Sequence, residues 1–336
     1  MGNNLLEVKN LTTRFQLDDG VLTAVDNVSF RVERGETLGI VGESGCGKSV
    51  TSYSVLDLVA PPGKIESGEI IFEGTDLRKI SHKEMRRIRG NDIAMIFQEP
   101  MTSLNPVFTV GEQIAEVLRL HQGLSYLDAK ERTIELLHMV NIPLPEQRFK
   151  EYPHQLSGGM RQRVVIAMAL ACNPKLLICD EPTTALDVTV QAQILRLIRK
   201  LQKELNMSVM LITHDLAVIS ETADRVIVMY AGRIVEENDG HDIFIHPLHP
   251  YTQALLKSIP TAQKAGESLF TIEGMVPNLL KKHSGCLFAP RCEYAQERCF
   301  QEEPKLMEIR DNCENRKVRC FRYHDKKEGA DEGSII

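Results

Sequence analysis

One eight-residue segment, residues 42–49, constrains the fold more than any other part of this sequence. It reads GESGCGKS, a glycine followed by four residues and then by Gly-Lys-Ser. The short apolar run LGIV before it predicts a buried strand, and the residues from Lys48 onward predict a helix. In such a strand, loop and helix, backbone N–H groups surround phosphate oxygens, Lys48 reaches the terminal phosphates and Ser49 offers its hydroxyl to Mg²⁺. The segment therefore predicts an α/β protein with a nucleotide site.

This phosphate loop (residues 42–49) and the residue after it supply the predicted contacts to nucleotide. They are Gly42, Ser44, Gly45, Cys46, Gly47, Lys48, Ser49 and Val50. Cys46 lies near a helix N-terminus, where a thiol pKa falls and the thiol becomes more nucleophilic. We therefore predict that alkylation of Cys46 abolishes nucleotide binding, whereas the simpler alternative is that cysteine replaces a small serine.

A pair of acids follows a second apolar strand, in the segment LLICDEP (residues 176–182). A phosphate loop needs one acid to organise Mg²⁺ and another group to handle water. Asp180 is predicted to hold Mg²⁺ through water, and Glu181 is predicted to polarise the attacking water as a general base. Adjacent acids at a strand end are otherwise simply solvated, but the phosphate loop favours the catalytic interpretation.

The hydrophobic pattern places these motifs in an α/β core that carries an all-helical arm. Strand signals recur in SVMLITHD and RVIVMYAGRIVEEN, whereas residues 110–141 have helical periodicity and no strand signals. After about residue 240 the periodicity is lost and the chain becomes rich in Pro, His and Cys. We predict a nucleotide-binding domain at 1–240 with a helical subdomain at about 100–165, an extension at 241–325 and a disordered tail at 326–336.

Composition excludes several classes of protein. With 43% hydrophobic residues the chain is not disordered throughout, and a net charge of −6 argues against a nucleic-acid partner. Apolar runs are shorter than the roughly 18–20 residues that span a bilayer, and the N-terminus lacks a secretory signal. We expect a soluble, cytoplasmic protein that can dock on a membrane protein. Its eight cysteines are expected to be thiols or metal ligands rather than disulfides.

Further motifs carry a family resemblance. LSGGM (residues 156–160) resembles the signature sequence of ATP-binding cassette (ABC) ATPases, and it precedes the Asp-Glu strand as in that family. Gln98 in IFQEP resembles the Q-loop glutamine, ALD (residues 185–187) the D-loop, and His214 in LITHD the switch histidine. Phe15 is placed like the aromatic residue that stacks on adenine, although LDDG is inserted after it. The resemblance implies a RecA-like P-loop core with a mixed β-sheet.

The resemblance also implies roles for these residues. Glu181, His214 and Gln98 would be catalytic, and Ser49, Gln98 and Asp180 would hold Mg²⁺. Ser157, Gly158 and Gly159 would close over the γ-phosphate bound by a second ATPase subunit, because N–H groups at a helix start attract phosphate. Two subunits, identical or not, would therefore have to meet for turnover. The segment EPMTSLNPVFTVGEQI after Gln98 would touch a transmembrane partner, although an irregular loop is the alternative.

The end of the chain resembles one branch of this family, the ATPases of oligopeptide and dipeptide importers. The matching segments are HPLHPYTQALLKSIP, IEGMVPNL and GCLFAPRC. This likeness implies peptide import at the cytoplasmic face of a membrane, with two permease subunits and an extracytoplasmic peptide-binding protein. Nickel or oligosaccharide import, and a soluble mechanical or regulatory ATPase, are the alternatives. The histidines of HPLHP are predicted to form a rigid turn before a helix rather than a metal site.

Five cysteines lie in this last part of the chain. Their spacing lacks the close pairs of structural zinc sites, and wider spacing suits a loop around a larger group such as a cubane iron–sulfur cluster. Similarity to the peptide-importer branch implies that Cys286, Cys292, Cys299 and Cys320 hold a [4Fe-4S] cluster, with Cys313 as a spare. Zinc, free thiols and a redox disulfide remain alternatives.

Overall fold

The computed structural model describes residues 3–98, 103–184, 186–258, 271–281, 283–309 and 316–324. Its strands are β1 (Asn4–Leu17), β2 (Gly20–Glu33), β3 (Thr37–Val41), β4 (Gly63–Phe72), β5 (Thr75–Asp76), β6 (Ile93–Ile96), β7 (Leu176–Asp180), β8 (Ser208–Ile212), β9 (Arg225–Tyr230), β10 (Arg233–Asp239), β11 (Met307–Glu308) and β12 (Lys317–Val318). Its helices are α1 (Lys48–Val55), α2 (His82–Ile88), α3 (Val110–Gln122), α4 (Tyr126–Met139), α5 (Pro145–Arg148), α6 (Gly158–Leu170), α7 (Val188–Leu205), α8 (Leu216–Thr222), α9 (Asp242–Ile245), α10 (Pro250–Lys257) and α11 (Glu297–Gln301). None of the helices in these ranges is long and apolar enough to cross a membrane.

The strands form two sheets. A four-stranded antiparallel sheet has the order β2-β1-β4-β5, and an eight-stranded sheet has the order β11-β12-β10-β9-β3-β8-β7-β6. In the larger sheet, neighbouring strands from β9 to β6 are parallel, whereas β10, β11 and β12 pair antiparallel. Every residue of β3, β7 and β8 is buried, as expected for central strands covered on both faces. The predicted α/β fold with a mixed sheet is thus confirmed.

Four neighbouring parallel strands end at the same edge of the larger sheet. The phosphate loop follows β3, Asp180 ends β7, His214 comes two residues after β8, and Gln98 comes two residues after β6. Because parallel strands in register place their carboxyl ends together, these residues are brought to one edge from distant parts of the chain. The topology therefore builds the site.

The helical arm lies between β6 and β7. Helices α3, α4 and α6 share a core that contains Ile114, Leu136 and Val164, each fully buried. Gly111 is needed at the start of α3, because a Cβ there would lie 2.2 Å from the ring of Phe149. Helices fill the interval in which a helical subdomain is predicted, while the predicted domain limits themselves stay a prediction.

The C-terminal extension is joined to the larger sheet rather than standing apart. Val318 of β12 pairs with Glu236 of β10 and with Met307 of β11. Helix α10 begins after His249, whose Nδ1 accepts a hydrogen bond from the N–H of Tyr251 at 3.0 Å. The HPLHP segment therefore forms a turn that caps a helix, as predicted. Cys313 and the predicted tail lie outside the described residues.

Candidate active site

The phosphate loop requires glycine at two positions where the chain packs closely. Gly42 has φ 153°, and a Cβ there would lie 2.2 Å from the carbonyl oxygen of Met229. Gly47 caps α1 with φ 101°, and a Cβ there would lie 2.3 Å from the carbonyl oxygen of Ala24. Both the left-handed backbone and the close approach exclude a side chain. These glycines fix the curl of the loop, in which successive N–H groups could surround phosphate oxygens.

Lys48 and Ser49 lie at the first turn of α1 and point into the site. The Lys48 ammonium is buried and donates to the carbonyl oxygens of Gly42 at 2.7 Å and Glu43 at 3.0 Å. Ser49 Oγ donates to Asp180 Oδ1 at 2.9 Å, so the loop hydroxyl and the acid of β7 meet.

Asp180 is suited to a divalent cation. It is fully buried, and its Oδ2 has no partner at ordinary hydrogen-bond distance among the described residues. Burial and the charge of Glu181 raise the pKa of its carboxyl, against the interactions with Ser49, Lys48 and Tyr53. A cation would stabilise the carboxylate that burial disfavours. The donor set of one carboxylate and one hydroxyl is of the oxygen type that Mg²⁺ prefers.

Glu181 is held by three side chains. Its Oε1 lies 3.3 Å from His214 Nδ1, while its Oε2 accepts from Gln98 Nε2 at 3.0 Å and from Thr184 Oγ1 at 3.1 Å. Burial opposes ionisation of Glu181. The hydrogen bonds of His214 and Thr184, together with the charge of His214, outweigh burial and hold the pKa of Glu181 below its usual value. Glu181 is therefore a carboxylate fixed in orientation, as a base for water must be.

The backbone of Glu181 is left-handed, with φ 47°. Such a conformation is uncommon for a residue with a side chain and concentrates at functional sites. It turns the chain as it leaves β7, so that Asp180 and Glu181 do not simply alternate across the sheet. Through its two carboxylate oxygens, Glu181 contacts both His214 and Gln98, so the three residues predicted to be catalytic lie together.

The signature segment begins α6 and is partly open to solvent. Ser157 caps the helix, because its Oγ accepts from the N–H of Met160 at 3.3 Å, and both Ser157 and Gly158 are exposed. Gly159 faces α7, where a Cβ would lie 3.0 Å from Val190. From the same helix, the buried Gln162 donates to the carbonyl oxygen of Pro182 at 2.6 Å. The helix is thus tied to the chain immediately after Glu181.

Comparison with known proteins agrees with this geometry. Residues 25–184 match the family described as "ABC transporter", and residues 235–299 match "Oligopeptide/dipeptide transporter, C-terminal region". "Dipeptide transport ATP-binding protein DppD" of Haemophilus influenzae is 54% identical over 316 residues, covering 94% of each chain. "Oligopeptide transport ATP-binding protein AppD" of Bacillus subtilis is 52% identical over 331 residues, covering 98% of this chain and 99% of that protein.

The chain belongs to the ABC transporter ATPases of the oligopeptide and dipeptide branch. It is therefore an ATPase, and the predicted family resemblance is confirmed. Among solved structures, a dimeric ATP-binding cassette in a post-hydrolysis state bound to ADP and Pi is 30% identical with a TM-score of 0.63. The likeness covers 70% of this chain and 99% of that one, which confirms the ABC fold of the core.

Phe15 of this ABC ATPase lies near the end of β1. It pairs with Leu22 of β2 and Gly63 of β4, and a Cβ at Gly63 would lie 2.5 Å from the Phe15 ring and 2.6 Å from Val59. The ring is half-buried in the antiparallel sheet. Its stacking on adenine stays a prediction.

The lowered pKa expected for the Cys46 thiol is wrong, while the effect of alkylating Cys46 on nucleotide binding stays a prediction. Its side chain is 2% exposed, and burial raises its pKa, although the charge and hydrogen bonds of Lys48 oppose the shift. The loop curls inward and packs Cys46 with the apolar core beneath the antiparallel sheet. Desolvation therefore outweighs the helix N-terminus that suggested reactivity.

Four cysteines of the extension converge on one pocket. Cys286, Cys292, Cys299 and Cys320 all line it, together with Phe288 and other residues of the extension. Burial, with the charges of neighbouring cysteines, raises the thiol pKa of Cys286, Cys292 and Cys320, in the last case to about 11. Within the described residues, no three His, Cys, Asp or Glu side chains are grouped as ligands of a single metal ion.

Sequence reasoning missed two residues of the active site, Thr184 and Gln162. Thr184 follows Glu181 by three residues, and a hydroxyl at that spacing after a strand is a turn signal that could have been noticed. Gln162 lies on the apolar helix α6, where a lone amide predicts neither a contact nor a direction. Its link to Pro182 is visible only in three dimensions.

Proposed function

We propose that this protein is the ATPase subunit that powers import of dipeptides or oligopeptides through a membrane ABC transporter. The observation that carries the proposal is the joint arrangement of Lys48, Ser49 with Asp180, and Glu181 with His214 at one sheet edge. The names of the similar DppD and AppD proteins support the class of cargo. No observation favours the nickel or oligosaccharide alternative.

Hydrolysis follows from the arrangement of these side chains. Lys48 turns from the loop carbonyls to the terminal phosphates, and the loop N–H groups hold the phosphate oxygens in place. Ser49 and Asp180, with Gln98 as a further oxygen donor, would hold Mg²⁺, which would supply positive charge against the phosphate oxygens. Glu181 accepts a proton from water as the water oxygen bonds to the γ-phosphorus. The bond from that phosphorus to the bridging oxygen breaks, and ADP and inorganic phosphate leave.

His214 orients the base and contacts the developing phosphate. Its Nδ1 lies at Glu181 Oε1, while the ring is 64% exposed and therefore able to meet a phosphate from the open side of the site. Gln98 on the other oxygen of Glu181 connects the site to the loop that follows β6. A change at Glu181 when nucleotide binds or leaves would therefore reach this loop through Gln98.

A second ATPase subunit completes the site. Ser157 and Gly158 are exposed at the N-terminal end of a 13-residue helix, whose partial positive charge and N–H groups suit a γ-phosphate. The dimeric state of the similar cassette structure supports pairing of two such chains. Each signature segment would then cover the nucleotide of the other subunit, and hydrolysis would let the two separate.

The membrane partners are proposed to dock after Gln98. Val107 and Phe108 in this loop are 70% and 52% exposed, although both are large and apolar. Apolar side chains in such a position favour contact with another protein. This loop would contact the transmembrane partner at the cytoplasmic face of the membrane. The complex would hold two permease subunits and an extracytoplasmic peptide-binding protein.

The four convergent cysteines are proposed to hold a [4Fe-4S] cluster. Burial disfavours the thiolate form of these cysteines and raises the pKa of three of them, and the positive charge of bound iron would stabilise the thiolates. Zinc is less favoured, because the four cysteines lack the close pairs that structural zinc sites use. Anaerobically purified protein should be brown and contain iron and sulfide in about equal amounts. Colourless protein with stoichiometric zinc would overturn the cluster.

Glu181→Gln tests the proposed mechanism. The variant should bind ATP, accumulate as a closed dimer and hydrolyse ATP about 10²- to 10⁴-fold more slowly, because only the proton acceptor is lost. Glu204→Gln, which removes a surface carboxylate paired with Lys200, is the matched control and should keep normal turnover. Near-normal hydrolysis by Glu181→Gln would contradict the role of the base. Import of labelled peptide by the complete transporter in vesicles, lost in the same variant, tests the cargo.

A further inference from the structure

Glu43, the second residue of the phosphate loop, forms an ion pair with a residue 248 positions later in the chain. Arg291 of the extension donates from Nη1 to Glu43 Oε2 at 2.9 Å and from Nη2 to Oε1 at 3.0 Å. The pair is bidentate, and the Arg291 side chain is 5% exposed. Such a pair joins two planar groups in a fixed orientation.

The backbone of Glu43 is fixed as well. Its N–H donates to the hydroxyl of the fully buried Tyr251 at 2.9 Å, and its carbonyl oxygen accepts from Lys48 Nζ at 3.0 Å. Two of its three anchors, Arg291 and Tyr251, therefore come from the extension. The third is the lysine that reaches for the phosphates.

Arg291 is itself held in place by the extension and the core. It donates to the carbonyl oxygens of Ile272 at 3.2 Å and Glu273 at 3.1 Å, and to the Tyr230 hydroxyl at 3.3 Å. The Tyr230, Tyr251 and Phe288 rings pack together beneath it, with centroids 4.7–5.4 Å apart. A guanidinium with this many partners has little freedom to leave Glu43.

The charge of Glu43 explains why such an anchor is needed. A carboxylate in a loop that binds a triphosphate repels its ligand, and the repulsion is strong where water is partly excluded. A bidentate arginine cancels that charge and keeps the carboxylate turned away from the phosphates. Without it, Glu43 would carry a free negative charge beside Lys48, the residue that must bind the terminal phosphates.

We propose that Arg291 is a positioning residue for ATP, and that through it the C-terminal extension sets the affinity of the phosphate loop. The proposal rests on the ATP site proposed above and adds that the extension is part of that site in the same chain. Coupling between two sites is reciprocal, so bound ATP must in turn stabilise the contacts of Arg291.

A double-mutant cycle on the full chain tests the coupling, with Arg291→Met, Glu43→Gln and the combination of both. The dissociation constants for Mg-ATP, Mg-ADP and adenosine are measured by calorimetry. Arg291→Met should weaken ATP about tenfold, or about 1.4 kcal/mol, ADP less and adenosine hardly at all. Glu43→Gln should lose less ATP affinity than Arg291→Met, and the combined variant should recover most of the affinity that Arg291→Met loses.

Arg319→Met is the matched control. Arg319 also precedes a cysteine and its side chain is 13% exposed, but it pairs with Glu303 and the carbonyl oxygen of Ile234 rather than with the phosphate loop. If Arg319→Met lost as much ATP affinity as Arg291→Met, the loss would reflect general damage to the structure, and the proposal would be overturned. Equal losses for ATP and adenosine, or no recovery in the combined variant, would overturn it too.

Hydrogen exchange of the wild-type chain gives a second test that needs no variant. Peptides covering residues 286–292 should exchange more slowly when ATP is bound, and unchanged exchange at saturating ATP would count against the coupling. Wild-type protein that binds no ATP would instead contradict the proposed function, so the two failures are distinguishable.

Discussion

The buried carboxyl group of Glu236 makes the stability of this protein depend on pH. Glu236 lies on β10 and is fully buried, and its two oxygens accept from the N–H groups of Leu248 and His249, each at 2.8 Å. Burial raises its pKa from 4.5 to about 7, against the hydrogen bonds of Thr252 and these two backbone groups. The uncharged acid is therefore the form that the folded protein favours.

The sign and size of the effect follow from this shift. Because the folded protein holds the proton more tightly than the unfolded chain, the stabilisation is fully present below pH 4.5 and is lost as the pH rises through about 7. A difference of about 2.5 pH units corresponds to about 3 kcal/mol. Most of it, about 2 to 3 kcal/mol, should disappear between pH 5 and pH 8.

Glu236→Gln should remove this dependence, because an amide does not titrate in the range. Urea unfolding of wild type and variant at several pH values, followed by far-UV circular dichroism, measures the difference in the free energy of unfolding. The free energy of unfolding of the variant, relative to that of the wild type, is expected to rise steadily from pH 5 to pH 8. This rise is expected whatever the stability of the variant at pH 5.

Glu237→Gln is the control from the next position of the same strand. Glu237 is buried but paired with Arg225 and, at 3.0 Å, with Lys317. Its removal should lower stability and leave the contribution of Glu236 to the pH slope in place. Parallel pH profiles for wild type and Glu236→Gln would refute the reasoning, since they would mean that Glu236 is ionised in the folded protein throughout.

Three other outcomes follow from the packing. Alkylating reagents should leave Cys46 unmodified in the folded protein and ATP binding intact, as mass spectrometry after brief labelling would detect; rapid modification would contradict its burial. Gly111→Ala should destabilise the protein by about 1–3 kcal/mol in urea unfolding, because its Cβ would overlap the Phe149 ring, and unchanged stability would refute this packing. Cys320→Ser should abolish the absorbance of the proposed cluster while Cys313→Ser retains it, and the reverse result would exchange the two assignments.

The core of the site was predictable because its signals are local. The phosphate loop, Asp180 and His214 each stand at or just after the end of a short apolar strand, and the sequence shows both the strand and the polar residues that follow it. Parallel pairing then brings the strand ends together without further information. The hydrogen bonds of Glu181 with Gln98 and His214 are a consequence of that topology.

Burial was the part that local pattern could not supply. A thiol at a helix start predicts a lowered pKa. The curl of the phosphate loop buries Cys46, however, and burial raises its pKa instead. Glu236 and Glu237 in the run RIVEEN look like a solvated strand end, yet both are buried. Their partners Leu248 and Lys317 come later in the chain, so no window of sequence around them contains the answer.

The change in sequence pattern at about residue 240 marks a loss of periodicity and not a loss of contact. Arg291 and Glu43 are 248 positions apart, and no periodic signal connects them. The extension nevertheless reaches the phosphate loop by two independent routes. One route is Arg291 with Tyr251 on Glu43, and the other is the sheet, in which β12 pairs with β10, β10 with β9, and β9 with the strand that leads into the loop. Both routes end at the same loop, so the extension and the nucleotide site belong to one connected structure.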